Sequence, residues 1–204
     1  GTISGGTRGI RLDGGRVGTI SNASTGLIQG SSYALLLRAN ITATSVNNAG
    51  TINSNSGYAL YVETAGSSVG TITNSGTITG GNGIYTAGGS VGVLTSSGLI
   101  RATGGGGTDA AVYLNASVGA ISFTNTGTIV GPIRDQRTTG LTITGGSGST
   151  YGTLMGTTSS AYSTIVSAGG VTFAGNTYLA NNVTAQAGAG RVTNTGVLMT
   201  QRAT

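Results

Sequence analysis

One seven-residue motif returns along this 204-residue chain at a nearly constant interval, and that interval limits the folds open to it. The motif is an apolar residue, then Thr, Ser or Asn, then usually Asn, any residue, Gly, any residue, and Ile or Leu. It occupies residues 46–52 (VNNAGTI), 72–78 (ITNSGTI), 94–100 with Ser96 in the Asn place, 123–129 and 192–198. Residues 20–28 carry the same motif with two extra residues. Its glycines are Gly26, Gly50, Gly76, Gly98, Gly127 and Gly196. The first five follow one another at an interval in the twenties, and the last gap spans about three such intervals. A period of that length marks a repeat architecture. The corner glycine is expected to supply positive φ without steric cost, and Asn to tolerate the same region while bonding to local backbone.

A second run keeps the same beat. Segments beginning at Gly9 (GIRLD), Ala34 (ALLLR), Ala59 (ALYVE), Gly83 (GIYTA) and Ala111 (AVYLN) are spaced by that same interval. A third, Val-Gly-x-Ile/Leu, begins at Val17, Val69, Val91 and Val118. Such a unit has too small an apolar face to fold alone. Stacked at ~4.8 Å, the units form parallel sheets around a continuous core. Alternation along each strand then aligns Ile28, Ile52, Ile78, Ile100 and Ile129 in one interior column. The expected fold is all-β: a right-handed parallel β-helix (β-solenoid) of about eight rungs, three short strands per rung, roughly 40 Å long. Residues 1–131 read as regular rungs and 132–204 as a less regular continuation. A loop is expected near 132–140, where the sole proline, Pro132, precedes the charged run Arg134-Asp135-Gln136-Arg137. The longest rung carries its insertion at 103–108.

Composition narrows the chemistry. Only 6% of residues are charged, against about 25% in typical domains. All nine basic residues are Arg and they are scattered, so the net charge of +5 reflects scarce carboxylates. A nucleic-acid binder would gather them in a patch, and no nucleic-acid partner is expected. Without Cys there is no disulfide framework or thiolate metal site. No apolar run approaches the ~18 residues of a membrane span, and no signal peptide starts at residue 1. The chain reads as an internal piece of something longer.

A Ser-His-Asp triad is excluded by the absence of His. The only carboxylates are Asp13, Glu63, Asp109 and Asp135, and a glycosidase needs two of them facing each other. Asp13 and Glu63 take the same place two rungs apart, about 10 Å at this spacing, but Arg38 falls between them. An alternating charge ladder accounts for the three. The run GGGGTD at 104–109 matches the start of a calcium-binding nonapeptide in a single copy, and GGSGST at 145–150 imitates a phosphate loop without its Lys. Both read as loops. No catalytic residue, metal site or cofactor is expected.

Two surface patterns remain. Thr71-Ile72-Thr73, Thr77-Ile78-Thr79 and Thr142-Ile143-Thr144 fit the triplets with which flat β-solenoids bind ice. Corresponding triplets, Leu27-Ile28-Gln29, Thr51-Ile52-Asn53 and Leu99-Ile100-Arg101, interrupt the plane. β-Propensity and solubility explain the threonines more simply. The second pattern is aromatic. In the five aligned segments the central outward residue is Arg11, Leu36, Tyr61, Tyr85 and Tyr113 in turn, and Arg8, Tyr33, Tyr58, Asn82 and Ala110 form a neighbouring column. Tyr33, Tyr58, Tyr61, Tyr85 and Tyr113 therefore share one face with Arg38. Stacked aromatics stabilise neighbouring rungs; Tyr and Arg are also enriched at binding hot spots. A long adhesive face is the functional expectation.

Residues 69–81, VGTITNSGTITGG, resemble the β-helical passenger domains of Gram-negative autotransporters, the type V secretion adhesins. The resemblance covers residues 1–131 closely and the rest loosely. It implies an exported, non-catalytic adhesin or self-associating stalk at the bacterial surface. Its partners would be a host or bacterial surface glycan or protein, or a second copy. Membrane attachment would run through a C-terminal barrel that this chain lacks. The alternatives are a polysaccharide-active β-helix enzyme, disfavoured by the scarce carboxylates, and an ice-binding solenoid.

Overall fold

A computed structural model describes residues 1–104, 109–156, 163–181 and 183–200. The insertion at 103–108 and the calcium-like run at 104–109 lie largely outside them, as does Arg202. The strands fall in three all-parallel sheets of nine, eight and eight strands. The first sheet runs from Thr2–Ser4 to Val197–Thr200, the second from Arg8–Asp13 to Val183–Gln186, and the third from Arg16–Asn22 to Val192–Asn194. The chain visits the three in rotation, each strand pairing with the one a full turn later. The expected parallel β-solenoid is found, with about three strands per turn and about seven turns, against an expectation of about eight rungs.

Three inward columns make the core. In the first sheet Ile28, Ile52, Ile78, Ile100 and Ile129 pair rung upon rung, as the motif predicts. The second sheet contributes Leu35, Leu60, Ile84, Val112 and Ile133. The third contributes Val46, Ile72, Leu94, Phe123 and Ile143. Every one of these side chains is buried. The apolar residues alternate with polar ones because only one face of each strand meets the interior.

The corner between the third and first sheets explains the motif, and differently from the expectation. None of the six motif glycines has positive φ. They are required by close approach: a Cβ on Gly76 would run into the Gly50 carbonyl oxygen, one on Gly98 into that of Gly76, and one on Gly127 into that of Gly98. Stacked turns touch backbone to backbone there. The motif Asn also has ordinary φ, and it points inward. Asn22 donates to the Asn48 Oδ1 at 2.8 Å and Asn48 to the Asn74 Oδ1 at 2.8 Å. Asn74 donates to the Ser96 hydroxyl at 3.2 Å. Each of the three also donates to a carbonyl of the next rung: those of Thr51, Thr77 and Leu99. These amides are buried, so a ladder of this kind satisfies groups that would otherwise be costly to desolvate.

Past Gly131 the strands Ile133–Asp135, Leu141–Thr144 and Gly152–Met155 take places in the second, third and first sheets. Within the charged run, Asp135 and Arg137 are both buried and joined at 2.6 Å. Ser167 donates to the other carboxylate oxygen at 2.9 Å, and Arg137 donates to the carbonyls of Gly119 and Gly140. A buried ion pair is tolerated when its remaining hydrogen-bonding groups are met in this way.

The last motif copy departs from the pattern. Asn194 pairs with Phe173, in the column of Ile72 and Phe123, and not in the Asn column. In the first sheet Thr200 pairs with Leu179 while Leu198 pairs with Thr177. The copy is thus displaced by two residues, a slip that preserves in-out alternation. On these last strands Val192, Val197 and Met199 are about half exposed.

Candidate functional site: a tyrosine ridge on the second sheet

The register of the second sheet sets the aromatic face. Arg11, Leu36, Tyr61, Tyr85 and Tyr113 occupy one column, continued by Arg134. Arg8, Tyr33, Tyr58 and Asn82 occupy the neighbouring one. Tyr58 and Tyr61 are three residues apart, which strict alternation would place on opposite faces. Two consecutive buried residues between them, Ala59 and Leu60, bring both rings to the outside.

All five tyrosines meet. Tyr85 and Tyr113 lie parallel, centroids 4.1 Å apart and planes at 4°. Tyr58 and Tyr61 are stacked at 4.5 Å, and Tyr33 stacks on Tyr58 at 5.6 Å. Tyr85 meets Tyr58 edge-on at 4.9 Å and 69°. The Arg8 guanidinium lies 5.8 Å from the centre of the Tyr33 ring and caps that end. Such pairs add roughly 0.5–1.5 kcal/mol each beyond area burial. Leu36 points outward as expected but is buried, 1% exposed, in its place between Arg11 and Tyr61.

Stacking uses up ring faces. What the ridge offers outward is a row of ring edges and phenol hydroxyls, each ring half-buried. Partial burial pushes the Tyr61 hydroxyl up to about 12, helped by the Tyr58 hydroxyl and Glu63. Tyr58 and Tyr85 shift the same way, again through desolvation first, and Tyr85 is further held by a hydrogen bond to Tyr113. Tyr58, Tyr61 and Tyr85 therefore keep their protons at physiological pH and offer hydroxyls for hydrogen bonding.

Arg38 is not part of the stack. It pairs in register with Asp13, and its Nε lies 3.4 Å from the Asp13 carboxylate and 3.2 Å from that of Glu63. Arg11 closes the group at 2.6 Å from Asp13, and this hydrogen bond holds the Asp13 carboxyl below its ordinary range. Arg38 thus flanks the ridge two residues beyond Leu36 with its charge spent on carboxylates. Among the described residues no group of three His, Cys, Asp or Glu side chains could hold a metal ion.

The threonine triplets divide between sheets. Thr77-Ile78-Thr79 belongs to the first sheet, with Leu99-Ile100-Arg101 directly paired to it. Thr71-Ile72-Thr73 and Thr142-Ile143-Thr144 belong to the third. The interruptions noted in the sequence all lie on the first sheet, so they do not bear on the third. There one outward column runs Ser45, Thr71, Val93 and Ser122, and the next Asn47, Thr73, Thr95 and Thr124. Thr142 and Thr144 continue on Thr172 and Ala174. Neither column holds a charged or aromatic side chain.

Sequence reasoning missed the Asn ladder and this hydroxyl face. The signal was present in the Val-Gly-x-Ile segments, had their outward residues been aligned among themselves. Comparison with protein-family models, with curated proteins and with solved structures finds no match.

Proposed function

We propose that the chain is a non-catalytic rod from a cell-surface adhesin of the autotransporter passenger type, and that it engages a surface glycan, a protein or a second copy through the tyrosine ridge. The observation that carries this reading is the continuous contact of Tyr33, Tyr58, Tyr61, Tyr85 and Tyr113 along the solenoid axis. Five rigid amphipathic rings held by the backbone bind with little loss of side-chain entropy, the feature that makes Tyr a frequent anchor. Phenol hydroxyls on amphipathic rings suit hydroxyl-rich or peptide partners better than ions. The parallel solenoid agrees with a β-helical passenger. The ion-paired Arg38 between Asp13 and Glu63 is a poor start for carboxylate catalysis.

The test is a triple variant, Tyr58→Ser, Tyr61→Ser and Tyr85→Ser, compared with the parent on a glycan array and by sedimentation velocity. The proposal predicts loss of glycan capture or of self-association while the β-sheet circular dichroism spectrum persists. A folded variant that binds and self-associates like the parent removes the ridge from consideration.

The third sheet supports a second reading, ice binding through its uncharged columns, mostly Ser and Thr with Asn47, Val93 and Ala174 among them. Strand pairing spaces the column positions by ~4.8 Å along the axis and alternation by ~7 Å across it, a two-dimensional lattice of mostly hydroxyl-bearing side chains. Thermal hysteresis in the parent that disappears in Thr71→Lys with Thr95→Lys supports it; absence of hysteresis in the parent ends it.

A further inference from the structure

The chain contains no Cys, Trp or His, and its two methionines are targets of two-electron oxidation to sulfoxide. Its one-electron donors are the tyrosines, and five of the eight are in mutual contact. We propose that the tyrosine ridge is an oxidative modification site, where a one-electron oxidant produces dityrosine between neighbouring rungs, with Tyr85 as the junction. This chemistry rests on ring geometry alone and needs no binding partner.

Tyr85 occupies the centre of the network. Its ring lies 4.9 Å from Tyr58, 5.5 Å from Tyr61 and 4.1 Å from Tyr113, so it touches rings on the rungs before and after its own. Each phenol surrenders one electron to the oxidant and one proton to water, which the half-exposed rings can reach. A phenoxyl radical formed on any member passes along the ridge by electron exchange between rings in van der Waals contact. Two radicals on adjacent rungs then couple through ring carbons ortho to the hydroxyls. One carbon–carbon bond forms, and each coupled carbon's hydrogen moves to its own oxygen to restore the aromatic ring. The product lacks two hydrogens, and the oxidant has accepted two electrons. The Tyr58–Tyr85 contact, edge-on at 4.9 Å and 69°, sets the edge of one ring against its neighbour. The face-to-face Tyr85–Tyr113 pair couples after a sideways slip. Among the described residues no ring contact joins Tyr151 or Tyr178 to another aromatic, so these two serve as internal controls.

The experiment irradiates the intact chain with a ruthenium trisbipyridyl sensitiser and persulfate, isolates the monomer, and digests it after Arg and Glu. Cleavage at Arg38, Glu63 and Arg101 leaves Tyr33, Tyr85 and Tyr113 on separate peptides and Tyr58 with Tyr61 on another. The expected products are peptide 39–63 joined to 64–101, and 64–101 joined to 102–134, each two hydrogens lighter than the sum. Tyr85→Phe keeps a ring in the stack but removes the phenol, and links reaching 102–134 should be lost although Tyr113 is intact. Tyr113→Phe, a second variant, should keep the link between 39–63 and 64–101. The proposal is overturned if no dityrosine forms, if it joins only separate molecules or residues 138–191, if links to 102–134 survive in Tyr85→Phe, or if Tyr113→Phe loses the remaining link.

Discussion

Ala39 and Asn40 show what a single residue contributes to a stacked corner. They have φ of 55° and 65°, in the left-handed region, and one rung earlier the same places hold Gly14 and Gly15 at 71° and 77°. Left-handed backbone costs Ala roughly 1–2 kcal/mol, whereas glycine's extra chain entropy costs about 0.5–1 kcal/mol. Ala39→Gly should therefore raise stability by about 0.5–1 kcal/mol, read from the midpoint of denaturant unfolding. A fall would mean that this corner is not left-handed. The ridge tyrosines make a second prediction at this scale. Tyr61 is pushed up to about 12 and Tyr85 also upward, while the unfolded chain ionises near the ordinary ~10. The folded state keeps its protons longer, so its stability is full below pH ~10 and falls as pH climbs from there toward ~12. Phenolate absorbance should show a drawn-out folded titration and a single step near 10 in denaturant; a single step near 10 in both would contradict it. Neither feature was legible in the sequence. Alanine carries no mark of a strained corner, and a phenol's desolvation depends on neighbours a whole rung away along the chain.

At the scale of strands and turns, the motif could be read and its reason could not. The Asn and Gly positions recur visibly, but local turn chemistry seemed sufficient to account for them. Their actual roles are contacts between rungs, which only the register reveals. Asn48→Ala leaves the buried Asn74 Oδ1 and the Thr77 carbonyl without the donor that Asn48 supplies. Each orphaned group costs about 1–3 kcal/mol, so a thermal melt should show a loss of several degrees. A loss below about 0.5 kcal/mol, the level of an ordinary surface change, would mean that the ladder contributes nothing. The paired substitutions Gly76→Ala and Gly18→Ala separate close approach from mere strand entropy. A Cβ on Gly76 meets the Gly50 and Ala49 backbone, whereas one on Gly18 meets nothing within 4 Å. The first should destabilise by about 1–3 kcal/mol and the second by less than ~0.5 kcal/mol. Equal effects in the same denaturation assay would refute the distinction. The displaced last copy marks the limit of motif reading: residues 192–198 match the pattern in letters, yet pair two residues out of step.

For the whole molecule, solenoid stacking was legible because two independent segments kept one period, and a false register would have broken one of them. The five ridge tyrosines were legible for the same reason. That their faces are spent on each other, and that Arg38 is spent on Asp13 and Glu63, followed only from packing. In such an architecture each rung touches only its neighbours, so stability, the ridge and the hydroxyl columns all inherit the same alignment. That alignment can be observed without altering a residue. In a sample labelled at the isoleucine methyls, nuclear Overhauser cross-peaks should link Ile52 to Ile78, Ile78 to Ile100 and Ile100 to Ile129, each pair separated in the chain by one full turn of the solenoid. If those peaks are missing while Ile78 shows contacts to residues elsewhere in the sequence, the rungs are not stacked as described and the ridge does not exist.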